Sequence, residues 1–331
     1  MSRDDRTRAT AGLILFVALA FLGSWCVAAS LRVFDLTVSP ATIGTRLFTT
    51  SLLYAVMMGW QPIVATWVVR RWVDPPDRLD LGLRPAPRGF SLAGGLGAIT
   101  IAGAATLVAL SVAGFGGLGA SRLSGIAEEE LANSVPSLGG LAGLGAAFLA
   151  TLLLVWVQAF AEEIGWRGYF LPRVMQRFGR WRGLILHGGI WGLWYAPVLF
   201  FSSYGQLDIV GSVSRCAAFI VTCVLLGTLF GWLRLAAGSL VPVVIANTTL
   251  TLAAGLPYVV HGVDAGLRSA AFGTPGWLVL AVVIACLLMS RWKAVVQIPE
   301  LVALPDSPPG MLVRVWLVLE GSERGPDRYL H

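Results

Sequence analysis

Charge is scarce in this chain: only 13% of its 331 residues are Asp, Glu, Lys or Arg. A soluble domain averages about 25%, so a soluble enzyme or binding module is excluded. Lysine is nearly absent, with Lys293 the single copy among 24 basic residues. There are three histidines, His187, His261 and His331, and no Cys-x-x-Cys pair or Cys/His cluster. The sequence therefore holds no structural zinc pattern. Cys26, Cys216, Cys223 and Cys286 all fall in or beside apolar stretches and are read as small packing residues.

What is present is apolar, 56% of the chain. Its long uncharged runs suit helices and are too long for barrel strands, and in lipid these are the two ways to satisfy the backbone. The reading is an all-α polytopic membrane protein, a bundle of about eight transmembrane helices. The spans are Ala11–Leu31, Leu47–Val69, Ser91–Phe115, Leu138–Ala161, Leu184–Phe201, Ala217–Leu233, Ser239–Val260 and Phe272–Ser290. The first is read as a retained anchor, because it lacks a signal-cleavage pattern. Residues 1–10 and 291–331 flank this 11–290 domain. With the N-terminus inside, the inner segments carry 19 basic residues and the outer loops 5. That bias predicts cytoplasmic termini. The net charge of +6 is then a matter of topology and anionic lipid, and calls for no nucleic acid.

Between the spans, Arg70–Gly89 reads as a proline-broken inner loop, with Asp74-Pro75-Pro76-Asp77 and Arg84-Pro85-Ala86-Pro87. Glu128-Glu129-Glu130 reads as a solvated patch in the external Gly116–Pro136 connection. Gly139, Gly143 and Ala147, at four-residue spacing, predict close helix approach at the start of the fourth span. The apolar stretch Met311–Leu319 reads as a surface segment or a small strand.

One motif concentrates the chemistry. The fourth span ends in Ala161-Glu162-Glu163-Ile164-Gly165-Trp166-Arg167-Gly168-Tyr169-Phe170. Ionisable groups at membrane depth mark function or pair with a partner. Glu163 and Arg167 are four apart with the acid first, the favourable order for a helical ion pair. Glu162 lies about 100° round the helix and is left without an evident partner. A restrained acid beside a free one is a way to hold a general base. Trp191, Trp194 and Tyr195 share a helix stripe with His187, as a cavity wall or as core packing. His187 lies roughly 12 Å along the axis from Tyr195 and reads as an interfacial residue.

The first motif, Glu162-Glu163-Ile164-Gly165-Trp166-Arg167-Gly168, resembles that of the CPBP family, the CAAX-protease and bacteriocin-processing (Abi) membrane proteins. Ile190-Trp191-Gly192-Leu193-Trp194-Tyr195-Ala196-Pro197 resembles the second family motif. Gly238-Ser239-Leu240-Val241-Pro242 through Thr251 resembles the third. The resemblance covers residues 138–252. It implies intramembrane proteolysis of a membrane-associated or C-terminal peptide, with a divalent metal as a family cofactor. Three positions depart from the family pattern: the family usually carries His where this chain has Tyr195 and again where it has Asn247, and Asn or Asp at Thr251. The resemblance assigns Glu162 as general base, Glu163 as orienter held by Arg167, and Tyr195 and Asn247 as oxyanion donors, since that role asks for donors and does not need imidazole. Trp191, Trp194 and Thr251 are assigned to the substrate cavity. The replaced histidines also permit a non-hydrolytic member that binds a membrane peptide, in immunity or as a scaffold. A transporter is the third class; no inverted repeat supports it. The preference for Arg, with high Ala and Gly, points to a GC-rich bacterial genome and hence to a bacterial inner membrane.

Overall fold

The computed structural model describes residues 3–33, 58–73, 81–113, 138–203, 208–261 and 272–289. The Asp74–Asp77 turn, the Glu128–Glu130 patch, Met311–Leu319 and the whole 291–331 tail lie outside the described residues.

The chain is an all-α polytopic membrane protein, and each predicted span meets a helix. In order these are α1 (Arg3–Val33), α2 (Trp60–Trp72), α3 (Arg88–Ala113), α4 (Leu138–Glu163), a π-helical segment (Ile164–Phe170), α5 (Leu171–Phe178), α6 (Arg180–Ser203), α7 (Ile209–Ala237), α8 (Val241–His261) and α9 (Thr274–Met289). Thr10–Val27, Arg88–Ala109, Phe148–Phe178 and Ile209–Ala237 are each long and apolar enough to cross a bilayer, and Val241–Ala253 and Thr274–Met289 are shorter apolar stretches.

Helix ends follow their local chemistry. Asp208 caps α7 by accepting from the Gly211 amide at 2.7 Å. Gly238, at φ 61°, ends α7 in the left-handed region that favours glycine. Gly179, also at positive φ, closes α5.

The fourth span does not stop at Ala161. It runs on through the π turn into α5 without a break, so the carboxylate motif lies inside a helical element. Arg167 and Arg173, counted above among inner-loop charges, are buried in this element. Each is accommodated by neighbours: Arg173 donates to the Tyr169 carbonyl at 3.2 Å and stacks 3.9 Å over the Tyr169 ring.

α6 packs most extensively on α7, α8 on α3 and α4, and α1 on α2 and α6. Close approach in the α6–α7 pair comes from two facing small-x-x-x-small pairs, Gly188/Gly192 on α6 and Gly227/Gly231 on α7. A Cβ at Gly188 would press on the Val224 backbone, and one at Gly227 would come 3.0 Å from Gly188 Cα. At the start of α4, by contrast, a Cβ on Gly143 would meet nothing within 4 Å. Among the described residues, no neighbouring element approaches Gly143 that closely.

Among the tightly placed glycines is Gly165, in the π turn. A Cβ there would overlap Pro62 of α2, with the Pro62 backbone only 2.8 Å away. Gly165→Ala is therefore expected to destabilise the protein by about 1–3 kcal/mol through overpacking against a backbone that cannot yield. Thermal unfolding in detergent measures this, with Gly143→Ala as a control that should change little.

Candidate active site

The π turn sets the geometry of the motif. The Leu171 amide reaches back five residues to the Trp166 carbonyl, widening the helix just after the two carboxylates. Such wide turns recur at functional sites. All seven of its residues, Ile164 to Phe170, are buried. Phe16 of α1 packs on Trp166, Tyr169 and Phe170 at centroid distances of 5.4, 5.3 and 5.3 Å, holding the turn from one side.

Both glutamates are almost completely enclosed, Glu162 at 1% exposure and Glu163 at 0%. Their partners differ in kind. Glu163 Oε1 accepts from Arg167 Nη1 at 3.0 Å and from Asn247 Nδ2 at 2.9 Å. This is a charge-assisted pair with an amide from α8 as third member. Arg167 lies 3.9 Å over the Trp191 ring and 5.3 Å from that of Phe230, so its guanidinium is sandwiched among aromatics. Glu162 faces neutral donors. Gln158 Nε2 donates to Oε1 at 3.0 Å, and the Tyr195 hydroxyl lies 3.0 Å from Oε1 and 2.9 Å from Oε2. The sequence left Glu162 without a partner; Gln158, one turn earlier on the same helix, and Tyr195 of α6 fill that place.

Glu162, Glu163, Arg167, Tyr195, Asn247 and Trp191 thus form one connected cluster drawn from α4, the π turn, α6 and α8. Thr251 joins at its edge, its hydroxyl donating to Asn247 Oδ1 at 3.3 Å. Trp194 is turned the other way. Its indole N–H lies 3.0 Å from the Ala20 carbonyl and 3.1 Å from Gln61 Oε1, and Ser24 Oγ donates to its carbonyl at 2.6 Å. It ties α6 to α1 and α2, and stacks edge-on to Tyr195 at 4.6 Å between centroids. Trp191 presents its face to Arg167, while Trp194 steadies Tyr195 from behind.

His187, read from the sequence as an interfacial residue, lies inside the helix bundle. It is fully buried, 6.3 Å from the Trp166 ring and 6.0 Å from that of Phe170. Gly227 of α7 makes room for it, since a Cβ there would come 3.4 Å from its Nδ1. The distance argument holds: His187 belongs to the back of the π turn, away from Tyr195. Sequence reading missed Gln158, Gln61 and Ser24. Gln158 was legible, because a buried polar residue four before a buried acid shares its helix face.

The donor set does not fit the divalent metal that the family resemblance implies. Zinc draws on His, Cys and carboxylate, whereas the groups around Glu162 and Glu163 are a guanidinium, two amides and a hydroxyl. Of the two carboxylates one is ion-paired and the other bears three short contacts. Among the described residues no group of three or more His, Cys, Asp or Glu side chains lies together. No step below passes through a metal.

Residues 144–253 match the family model described as type II CAAX prenyl endopeptidase Rce1-like. A curated protein of Methanococcus maripaludis, CAAX prenyl protease 2, is 30% identical over 89 residues, 27% of this chain and 33% of the relative. The chain thus matches about a third of that relative's length. Residues 144–253, the segment that matches the family model, contain every residue of the cluster, from Gln158 to Thr251. Residues 144–253 are therefore similar to the Rce1-like proteases of the CPBP family, in a multi-pass membrane protein.

Proposed function

We propose that the chain is an intramembrane endopeptidase that hydrolyses a membrane-associated or C-terminal peptide with water activated by Glu162. The observation that carries this is the division between the two acids. Glu163 is committed to Arg167, so protonating it breaks a buried ion pair. Glu162 is held by neutral donors alone and takes up a proton without that loss. Its three contacts leave a lone pair of its roughly four carboxylate acceptor sites for a water.

In this reading Glu162 takes a proton as the water oxygen bonds to the scissile carbonyl carbon. The oxyanion is met by the second N–H of Asn247, whose first is spent on Glu163, and by the Tyr195 hydroxyl. Tyr195 is released at the right moment: a protonated Glu162 donates to the phenol oxygen, and the phenol proton turns to the oxyanion. Glu162 then returns its proton to the leaving amine as the C–N bond breaks, giving a carboxylic acid and an amine. Trp191 and Thr251 border the peptide. The setting is a bacterial inner membrane, with both termini cytoplasmic and anionic lipid at the basic inner face.

One observation favours a second reading. The Tyr195 hydroxyl already spans both oxygens of Glu162, as it would in a family member that binds a peptide without cutting it.

The test is a library of membrane-anchored and C-terminal peptides presented to lipid-reconstituted protein and read by mass spectrometry, with and without a chelator. Cleavage is expected, unchanged by the chelator, and Asn247→Ala should lower turnover about 10²-fold or more by removing one oxyanion donor. Cleavage that the chelator abolishes would refute the metal-free scheme. Binding of library peptides without any cleavage would favour the second reading.

A further inference from the structure

The cluster includes no residue from before position 144, yet the structure ties it to a segment outside the matched domain. Residues 81–87 form a non-helical strap that leads into α3. Leu81 and Leu83 are buried in the main core. Gly82 has φ 78° and lies directly over the Arg234 guanidinium, so any side chain there would be both strained and blocked.

Three hydrogen bonds join this strap to the turn between α7 and α8. The Leu240 amide donates to the Gly82 carbonyl at 2.8 Å. Arg84 Nε donates to the Gly238 carbonyl at 2.6 Å. Ser239 Oγ donates to the Arg84 carbonyl at 2.5 Å and accepts from the Val241 amide at 3.2 Å. The serine that caps α8 is therefore also its tie to the strap, and the amides that begin α8 are satisfied in part from outside the helix. On the other side, the Leu81 carbonyl lies 3.0 Å, and Leu240 Cδ1 3.5 Å, from where a Cβ on Gly168 would stand. The strap is wedged between the π turn and the start of α8.

These two elements carry the partners that must meet. Arg167 adjoins Gly168, and Asn247 lies two helical turns after Leu240. A rotation or slide of α8 at its first turn is transmitted along a buried face, Leu240, Val243 and Val244, to the 2.9 Å bond between Asn247 and Glu163.

We propose that the strap, through Arg84 and its bond to the Gly238-Ser239 turn, is a positioning device that sets the register of α8 and so aims Asn247 at Glu163 and at the substrate carbonyl. The kinetic part of this proposal rests on the peptidase reading above; the structural part does not. Misplacement of a catalytic group by about 1 Å can lower a rate 10²-fold, so a loosened strap acts on turnover before it acts on binding.

The experiment compares full-length wild type with Arg84→Ala, Arg84→Lys and Ser239→Ala in lipid nanodiscs. Hydrogen exchange is followed by mass spectrometry on peptides covering residues 240–247 and, as reference, 184–195. In Arg84→Ala, exchange over 240–247 should quicken about tenfold while 184–195 is unchanged, as expected for local opening. On any library peptide that wild type cleaves, Arg84→Ala should lower kcat about tenfold with KM within about twofold. Arg84→Lys, which keeps a donor, should recover most of it. Combining Arg84→Ala with Asn247→Ala should lower kcat no further than Asn247→Ala alone, because both act through one bond. General loss of folded protein would instead multiply the two effects, and that result overturns the proposal. Unchanged exchange over 240–247 overturns it as well. A wild type that cleaves no peptide overturns the peptidase reading, and the exchange comparison then decides the strap by itself.

Discussion

Glu162→Gln should abolish peptide cleavage, with a loss of at least 10²–10⁴-fold, the range typical of a positioned general base. The substitution is nearly isosteric. The amide carbonyl still accepts from Gln158 or from Tyr195, the two residues that hold the acid now. Packing is unchanged and no ion pair is broken, since Arg167 bonds Glu163 and not Glu162. The fold should therefore stay within about 1 kcal/mol of wild type, the scale of one neutral hydrogen bond. Only the capacity to take a proton from water is removed. Single-turnover cleavage of a library peptide, with thermal unfolding beside it, separates the two quantities. Wild-type rates in a folded Glu162→Gln variant would end the assignment of Glu162 as base. Lost activity together with lost stability would mean the acid is structural.

Much of this site was legible from residue types and spacing. The ion pair follows from an acid four positions before an arginine in a segment that cannot solvate either, and it forms at 3.0 Å. The helical class follows from apolar run length, and the predicted spans each met a helix. The rest depended on contacts between elements, to which a one-dimensional pattern is blind. The four-residue spacing of small side chains occurs at Gly139, Gly143 and Ala147 and again at Gly188 and Gly192. Only the partner helix decides which is used. At Gly188 that partner is α7 with its own Gly227, whereas among the described residues none lies within 4 Å of where a Gly143 Cβ would stand. The π turn was hidden because Glu-x-x-x-Arg spacing suits an α-helix equally well. Its sign in the sequence is Gly165 against a proline of α2, visible only once the two are packed. His187 was read as interfacial from its place near the end of a hydrophobic run. What encloses it, the Trp166 and Phe170 rings and the small Gly227, comes from other elements. The strap was read as a loop for its prolines, and nothing local announced that Ser239 would bond the Arg84 carbonyl.

Arg167→Leu should have the largest effect on the fold. The guanidinium is fully enclosed, bonded to Glu163 and stacked on Trp191 at 3.9 Å. Removing it leaves Glu163 buried with Asn247 as its one remaining donor. Breaking a buried pair from one side is destabilising by about 3–5 kcal/mol, and the lost stack on Trp191 adds about 0.5–2 kcal/mol. A domain stable by about 5–15 kcal/mol loses a large part of its margin, so Arg167→Leu should accumulate poorly and unfold well below wild type. Arg167→Lys should rescue it only in part, because an ammonium does not reproduce a planar cation on an indole face. The pair should nonetheless be dispensable for folding when both members go. Replacing a buried ion pair by apolar side chains is often neutral or stabilising, so Glu163→Leu combined with Arg167→Leu should recover most of the melting temperature. That double variant should still turn over about 10²-fold more slowly than wild type, since Asn247 loses the carboxylate that aims it. Melting temperatures of the three variants in detergent, set beside cleavage of the library, decide the matter. Full stability in the Arg167→Leu single variant would show that the pair is not the linchpin of the π turn. Wild-type turnover in the stable double variant would show that the pair holds the helix and not the chemistry.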